Sequence, residues 1–236
     1  YLKAHYPSEF MASVLTHHIN DIKKLGFYLE ECKRMEISIL GPDINESFMH
    51  YSVNKSGKIR FGLGAIKGVG ASAAEYIISQ RKEKGNYQNL FDFFKRMNSR
   101  LTNKRVFEAL VLGGGFDSLT DSKRSIFFSE NNKGDIFLET LIRFGSAYRK
   151  NQQIPTLIPI EESIVTPSIP NEDPWDSFQK LKKEKDMLGM YISGHPLDRY
   201  FDKINYRCSH RITDLNDLRK LEGQKINLGG MVLSFE

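Results

Sequence analysis

Ala65-Ile66-Lys67-Gly68-Val69-Gly70-Ala71-Ser72-Ala73-Ala74-Glu75-Tyr76-Ile77 decides how the middle of this chain folds. It reads apolar, Gly, apolar, Gly, then Ala four residues on and apolar after that, which is the layout of a helix-hairpin-helix. Two glycines around one apolar residue permit a turn so tight that successive backbone N–H groups face outward at the start of a helix, where the helix dipole also favours an anion. A phosphate oxygen is the expected guest. In this reading Val69 plugs the core, Ala74 lets two helices approach closely, and Lys67 adds a point charge beside the amides. The plain alternative is that Gly68 and Gly70 merely shape a helix connection.

Downstream, Asn103-Lys104-Arg105-Val106-Phe107-Glu108-Ala109-Leu110-Val111-Leu112-Gly113-Gly114-Gly115-Phe116 reads as a second, looser copy, a basic helix start leading into a glycine turn. Paired hairpins can straddle both strands of a duplex across its minor groove. They would track phosphates rather than bases, so affinity should fall by about 0.9 log unit per log salt for each phosphate neutralised. Just upstream, Tyr51-Ser52-Val53 and Ile59-Arg60-Phe61 read as a small β-hairpin joined through Asn54-Lys55-Ser56-Gly57-Lys58, whose Asn and Gly supply turn conformations. The expected first DNA contact is Lys58, Arg60, Lys67, Gly68, Val69 and Gly70. The expected second is Asn103, Lys104, Arg105, Gly113, Gly114 and Gly115.

The rest of the chain is mostly helical. A helix should run from Pro7 to near Ile19, with Phe10, Met11, Val14 and Leu15 at helical spacing. Asn20 can cap a second, whose apolar stripe is Ile22, Leu25, Leu29 and Cys32, with Lys23, Glu30 and Lys33 opposite. Gly41-Pro42-Asp43 breaks the chain, and short helices are expected from Ala71 to about Lys82, Leu90 to Met97, Lys104 to Leu112 and Ile136 to Arg149. Asn151 to Pro174 carries five prolines without helical period and reads as a linker. Asp173-Pro174-Trp175 looks like a cap and first-turn proline opening a charged helix to Leu188. From Thr213 a short helix and a glycine-interrupted strand are expected. The fold class is mostly α with one small β-hairpin and a truncated strand at the C-terminus; both ends are expected to be cut from something longer.

Composition excludes more than it selects. With 236 residues and 40% hydrophobic content the chain can bury a core, and a formal charge of +5 with a pI near 9.0 suits a polyanionic partner without requiring one. Cys32 and Cys208 alone build neither a disulfide framework nor a four-thiol metal site. Cys208-Ser209-His210 and His17-His18 each lack the second half of a ligand set. No apolar run reaches the roughly 20 residues that span a bilayer. Gly62-x-Gly64 lacks the third glycine of a dinucleotide loop, and Lys67-Gly68 is not a phosphate-loop Gly-Lys-Ser/Thr. His195, before Pro196, reads as a capped loop residue, and no Ser or Cys nucleophile has a partner.

Four stretches together, Leu2-Lys3-Ala4-His5-Tyr6-Pro7-Ser8-Glu9-Phe10-Met11-Ala12, Pro42-Asp43-Ile44-Asn45, Ile59 to Gly70, and Ile192-Ser193-Gly194-His195-Pro196-Leu197-Asp198-Arg199-Tyr200, resemble the alpha subunits of bacterial DNA polymerase III, the C-family replicative polymerases. The motifs stand in the family's order and cover nearly the whole chain. The resemblance implies a fingers segment at 1–97 with the β-hairpin and first helix-hairpin-helix. It implies a helix-hairpin-helix and clamp-binding domain at 98–200, with linker 151–172, and the first strand of an OB-fold within 201–236. The family's metal-binding aspartates precede this segment, so two-metal nucleotidyl transfer with Mg is implied for the whole polymerase, with no catalytic residue and no cofactor here; Asp43 and Asp92 are not those aspartates. Implied partners are double-stranded DNA, bound without sequence preference, the sliding clamp and other replisome subunits, in the cytoplasm and away from membranes. The family's clamp peptide is a Gln followed by a spaced Leu-Phe pair. The corresponding place here is Gln152-Gln153-Ile154-Pro155-Thr156-Leu157-Ile158, without Phe, and leaves Gln153, Leu157 and Ile158 as the clamp-contact candidates. The rival reading is a DNA repair or recombination module, or a protein-interaction scaffold built on the same hairpins.

Overall fold

The computed structural model describes residues 1–19, 21–121, 123–131, 134–152, 164–210, 215 and 221–232, with the backbone alone for Ile22 and Lys23. Two compact units emerge, Tyr1–Ser193 and Gly194–Glu236.

In the first unit, α1 (Leu2–His5) is followed by α2 (Pro7–His17), whose Pro7 fills the first turn, and by α3 (Ile22–Arg34). Met11 and Leu15 of α2, and Leu25 and Cys32 of α3, are buried, while Glu30 and Lys33 lie outside, as the helical period predicts. The cap of α3 is Asp21, whose side chain accepts the Lys24 amide; the expected Asn20 lies outside the described residues. The β-hairpin forms from β2 (Ser52–Val53) and β3 (Ile59–Arg60), paired antiparallel. A third strand joins it: β1 (Ile39–Leu40) runs parallel to β3, with Ile59 and Phe61 amides donating to the Ser38 and Leu40 carbonyls at 3.0 Å each. Two residues are too few to show a strand period, so this pairing had no sequence signal.

A 3-10 turn (Leu63–Ala65) leads into α4 (Ala71–Lys84), then α5 (Leu90–Arg96), α6 (Lys104–Gly113), α7 (Asp117–Thr120), a second 3-10 turn (Arg124–Phe128), α8 (Phe137–Gln152) and α9 (Ser177–Leu188). Leu90, Phe93, Phe94 and Met97 recur at helical spacing and are all buried. They begin an aromatic column: Phe93 meets Phe116 at 4.9 Å between ring centres, Phe94 meets Phe107 at 4.9 Å, and Phe116 meets Phe127 at 5.4 Å. This column crosses residue 97 without a seam. Helix α8 packs on α5, and α9 packs on α6.

Helix α9 opens later than expected. Its cap is Asp176, accepting the Gln179 amide at 2.8 Å, rather than Asp173. Trp175, outside the helix, lies tilted with its ring centre 5.5 Å from that of Phe128 and with the Lys183 ammonium 4.7 Å over its ring.

In the second unit, a 3-10 turn (Asp198–Tyr200) runs into α10 (Phe201–Arg207). His195 is a loop residue whose Nδ1 accepts the Leu197 amide. The expected C-terminal strand does not form over residues 224–232: Ser209 donates from its amide to the Asn227 carbonyl at 3.0 Å, but no strand lies alongside among the described residues to extend that contact into a ladder.

Candidate functional site

Between the start of α4 and the start of α6 lies an open groove of about 450 Å³. Gly68, Gly70 and Ser72 line one side; Leu101, Asn103 and Arg105 line the other. The sequence places the first three and the last two far apart, and the fold brings them to one surface.

The first wall follows from local chemistry. Gly68 adopts φ +95°, open to glycine at little cost. A Cβ there would lie 3.4 Å from Ala109 Cβ and 3.8 Å from Arg105 Nε, so the hairpin rests directly on α6. Val69 is buried, its amide donating to the Ile66 carbonyl at 3.0 Å, and serves as the plug the sequence suggested. Ala74, completely buried, permits the close approach. On the outer side Lys67, Gly70, Ala71 and Ser72 are exposed. The Lys67 amide is held by the Met187 carbonyl of α9 at 2.9 Å, whereas the amides of Gly70, Ala71 and Ser72 have no main-chain acceptor among the described residues. These are the orphan donors of a helix start, and the dipole of a 14-residue helix adds partial positive charge there.

The second wall is the start of α6 together with the turn before it. Asn103 caps the helix, its Oδ1 accepting the Val106 amide at 3.1 Å. Arg105 is exposed and has no ion pair among the described residues. Lys104 points away into a pair with Glu139 of α8 at 2.5 Å, with Glu108 3.8 Å off. The hydrogen bond to the Glu139 carboxylate holds its ammonium above the ordinary lysine value. Of the two adjacent cations, Arg105 is therefore the one left to act on the groove.

Gly113, Gly114, Gly115, Arg60 and Lys58, expected as DNA contacts, do not line the groove. Gly113, Gly114 and Gly115 are buried, and the Gly114 and Gly115 amides donate to Val111 (3.1 Å) and Leu110 (2.7 Å) carbonyls. They form the C-terminal cap of α6, with Gly114 at φ +90°, under Arg124 and Leu188. They are closed off from solvent, and the groove is lined by the turn that precedes α6, not by the glycines that follow it. Arg60 is a structural cation, ion-paired with Glu46 and donating to the Gly41 carbonyl at 2.8 Å. Lys58 is exposed at the β-turn but does not line the groove. Leu101 and Ser72 were missed: Leu101 is an apolar residue in a polar turn, which no periodicity singles out, and Ser72 reads as ordinary first-turn helix. Gln153, Leu157 and Ile158 lie outside the described residues.

The glycine cap is covered by a buried charge network. Arg124 donates to Asp117 (2.8 and 2.6 Å), to the Leu112 carbonyl (3.0 Å) and to Glu184 of α9 (3.2 Å twice). Glu184 also accepts the Ile192 and Ser193 amides and the Ser193 hydroxyl at 2.9, 2.8 and 2.7 Å. The guanidinium and the carboxylate are both fully hydrogen-bonded, the condition under which buried charge is tolerated.

Among the described residues no three His, Cys, Asp or Glu side chains gather where they could hold a metal ion. Asp43 accepts the Asn45 and Glu46 amides in a turn, and Asp92 pairs with Arg96 at 2.6 Å. No helix among the described residues is long and apolar enough to cross a membrane.

Comparison with known proteins agrees with this geometry. A helix-hairpin-helix motif model matches residues 36–126, the interval that holds both walls. The chain is 33% identical over 240 residues to DNA polymerase III subunit alpha of Haemophilus influenzae, covering 99% of this chain and 20% of that protein. The subunit from Borreliella burgdorferi is 34% identical over 246 residues, with 99% and 20% covered, and that from Campylobacter jejuni 34% over 235 residues, with 97% and 19%. The chain spans about a fifth of the length of the curated relatives it matches. Over nearly its whole length, the chain is similar to one segment of bacterial DNA polymerase III alpha subunits.

Proposed function

We propose that the groove between the Gly68-Val69-Gly70 hairpin and the start of α6 grips the sugar–phosphate backbone of duplex DNA without reading its sequence. The observation that carries this reading is convergence. The start of α4 with its unused amides and the start of α6 with Arg105 frame one open groove, and the exposed Lys67 precedes the hairpin that forms the first wall. Phosphate is the ligand such donors suit, through hydrogen bonds, dipole and charge at once. The resemblance to replicative polymerase subunits supplies the duplex.

The chain would then be a non-catalytic, DNA-holding part of a replicative polymerase in the cytoplasm. Nucleotidyl transfer and its Mg ions would belong to carboxylates outside this chain, which would be inactive alone. Contact with the sliding clamp through Gln153, Leu157 and Ile158, and with other replisome subunits, completes the reading.

The test is fluorescence anisotropy with a labelled duplex. Lys67→Glu combined with Arg105→Glu should weaken binding more than tenfold at low salt, and the log–log salt dependence should become shallower by about 0.9 for each phosphate no longer neutralised. Lys104→Glu alone should do less, because Glu139 already neutralises that lysine. Binding by the double variant equal to wild type would refute the proposal.

A further inference from the structure

Leu101 is the one large hydrophobic side chain standing exposed among the described residues of 49–152, at 42% exposure, and it lines the groove. Its outward position is imposed by the turn. The Asn98 carbonyl accepts the amides of Leu101 (3.0 Å) and Thr102 (2.8 Å) and the Thr102 hydroxyl (2.7 Å), while the Asn98 side chain accepts the Arg100 amide at 2.9 Å. Thr102 is 1% exposed and anchors the turn from beneath. With Thr102 tied down directly after it and Asn103 committed as the cap of α6, the Leu101 side chain is left facing the groove and solvent.

An anion site alone has no use for an apolar residue at its mouth; one made only for phosphate would favour a polar side chain there. A nucleic-acid strand alternates the two chemistries, with a charged phosphate and an apolar sugar face in every nucleotide. Donors on one wall, with a cation and an apolar knob on the other, match that alternation.

We infer that Leu101 packs against the deoxyribose of a duplex DNA strand whose phosphates are held by the groove, and so makes the site selective for DNA backbone over other polyanions. This rests on the DNA-gripping reading above and adds to it a selectivity that charge and amides cannot supply. The 2′-hydroxyl of RNA would present a polar group to the same knob.

The experiment uses the whole chain with three probes: duplex DNA, duplex RNA of the same length, and dextran sulfate, a polyanion without sugar–phosphate repeat. Because Leu101 is exposed, Leu101→Ala leaves the core intact, and Leu101→Met keeps the apolar volume. Leu101→Ala is expected to weaken DNA binding about fivefold, in line with losing part of a leucine's buried surface. Dextran sulfate binding should stay within twofold and the salt dependence on DNA should not change, while Leu101→Met binds DNA like wild type. The inference is overturned if Leu101→Ala binds DNA as tightly as wild type, if all three probes lose affinity equally, or if duplex RNA loses as much as DNA. Failure of the parent reading looks different: wild type would not bind duplex DNA, or Arg105→Glu would have no effect, whatever Leu101 does.

Discussion

Replacing Gly114 by Ala separates a structural glycine from a phosphate-binding one. The substitution carries two costs. Gly114 holds φ +90°, where a side chain costs about 1–2 kcal/mol. The new Cβ would also fall 2.2 Å from Arg124 Nη2, 2.8 Å from its Cζ and 3.1 Å from Asp117 Oδ2. An arginine tip would ordinarily swing aside, but this one is 5% exposed and fastened to Asp117, Glu184 and the Leu112 carbonyl. Dislodging a buried ion pair costs about 3–5 kcal/mol, so the two terms together reach roughly 4–7 kcal/mol, a ceiling that relaxation lowers to about 3 or more. Against a typical stability of about 5–15 kcal/mol that is a large fraction. Urea denaturation followed by the fluorescence of Trp175, packed on Phe128 in the same unit, measures it. Gly57→Ala is the control: φ is +74° but nothing lies within 4 Å of its Cβ, so only the strain of about 1–2 kcal/mol should appear. Duplex affinity of folded Gly114→Ala at low temperature should stay within about twofold of wild type, since the glycine is buried away from the groove. Equal losses of stability in the two variants would refute the ion-pair argument. A stable Gly114→Ala with a tenfold loss of DNA affinity would restore the glycine triplet as a DNA contact.

Two further outcomes are expected. Gly145 lies inside α8, and a Cβ there would meet the Phe94 carbonyl oxygen at 2.2 Å and its carbon at 2.8 Å; backbone cannot swing away, so Gly145→Ala should destabilise by about 1–3 kcal/mol in urea titration despite the gain of about 1 kcal/mol in helix propensity, and net stabilisation would sink the argument. Burial pushes the Cys32 thiol up to about 11 from 9.0, so native protein at pH 8 should be alkylated at Cys208 and spared at Cys32 until denaturant is added. The sign follows: the unfolded thiol ionises first, so stability carried by this group is intact below pH 9 and is lost as pH rises through about 11, and Cys32→Ala should flatten that part of the stability curve.

Local regularities carried the sequence reading where they exist. The stripe Leu90, Phe93, Phe94 and Met97 marks a buried helix face because period alone aligns those side chains. Asn54 to Lys58 marks a hairpin because Asn and Gly meet the turn's dihedral demands, and Gly68-Val69-Gly70 marks a tight bend before a helix for the same reason. Caps fell one and three residues beyond the expected positions, at Asp21 and Asp176, because Asp and Asn can each serve and spacing alone does not choose between them. The short strand β1 left no trace, since its pairing with β3 depends on residues about twenty positions away.

The sequence by itself determined the longer helices, the hairpin turn and the glycine-framed bend, because each depends on dihedral preference and apolar spacing within a few residues. Only tertiary structure decided which of these features face outward. Gly113, Gly114 and Gly115 allow a bend as freely as Gly68 and Gly70 do, yet Glu184 and Leu188, some seventy residues on, cover them, while the first bend stays open beside Arg105. Lys104 and Arg105 are adjacent and alike in charge, and Glu139 from another helix takes one and leaves the other. Exposure of a donor or a charge is a property of what packs against it, and that is set by distant segments which no local pattern encodes.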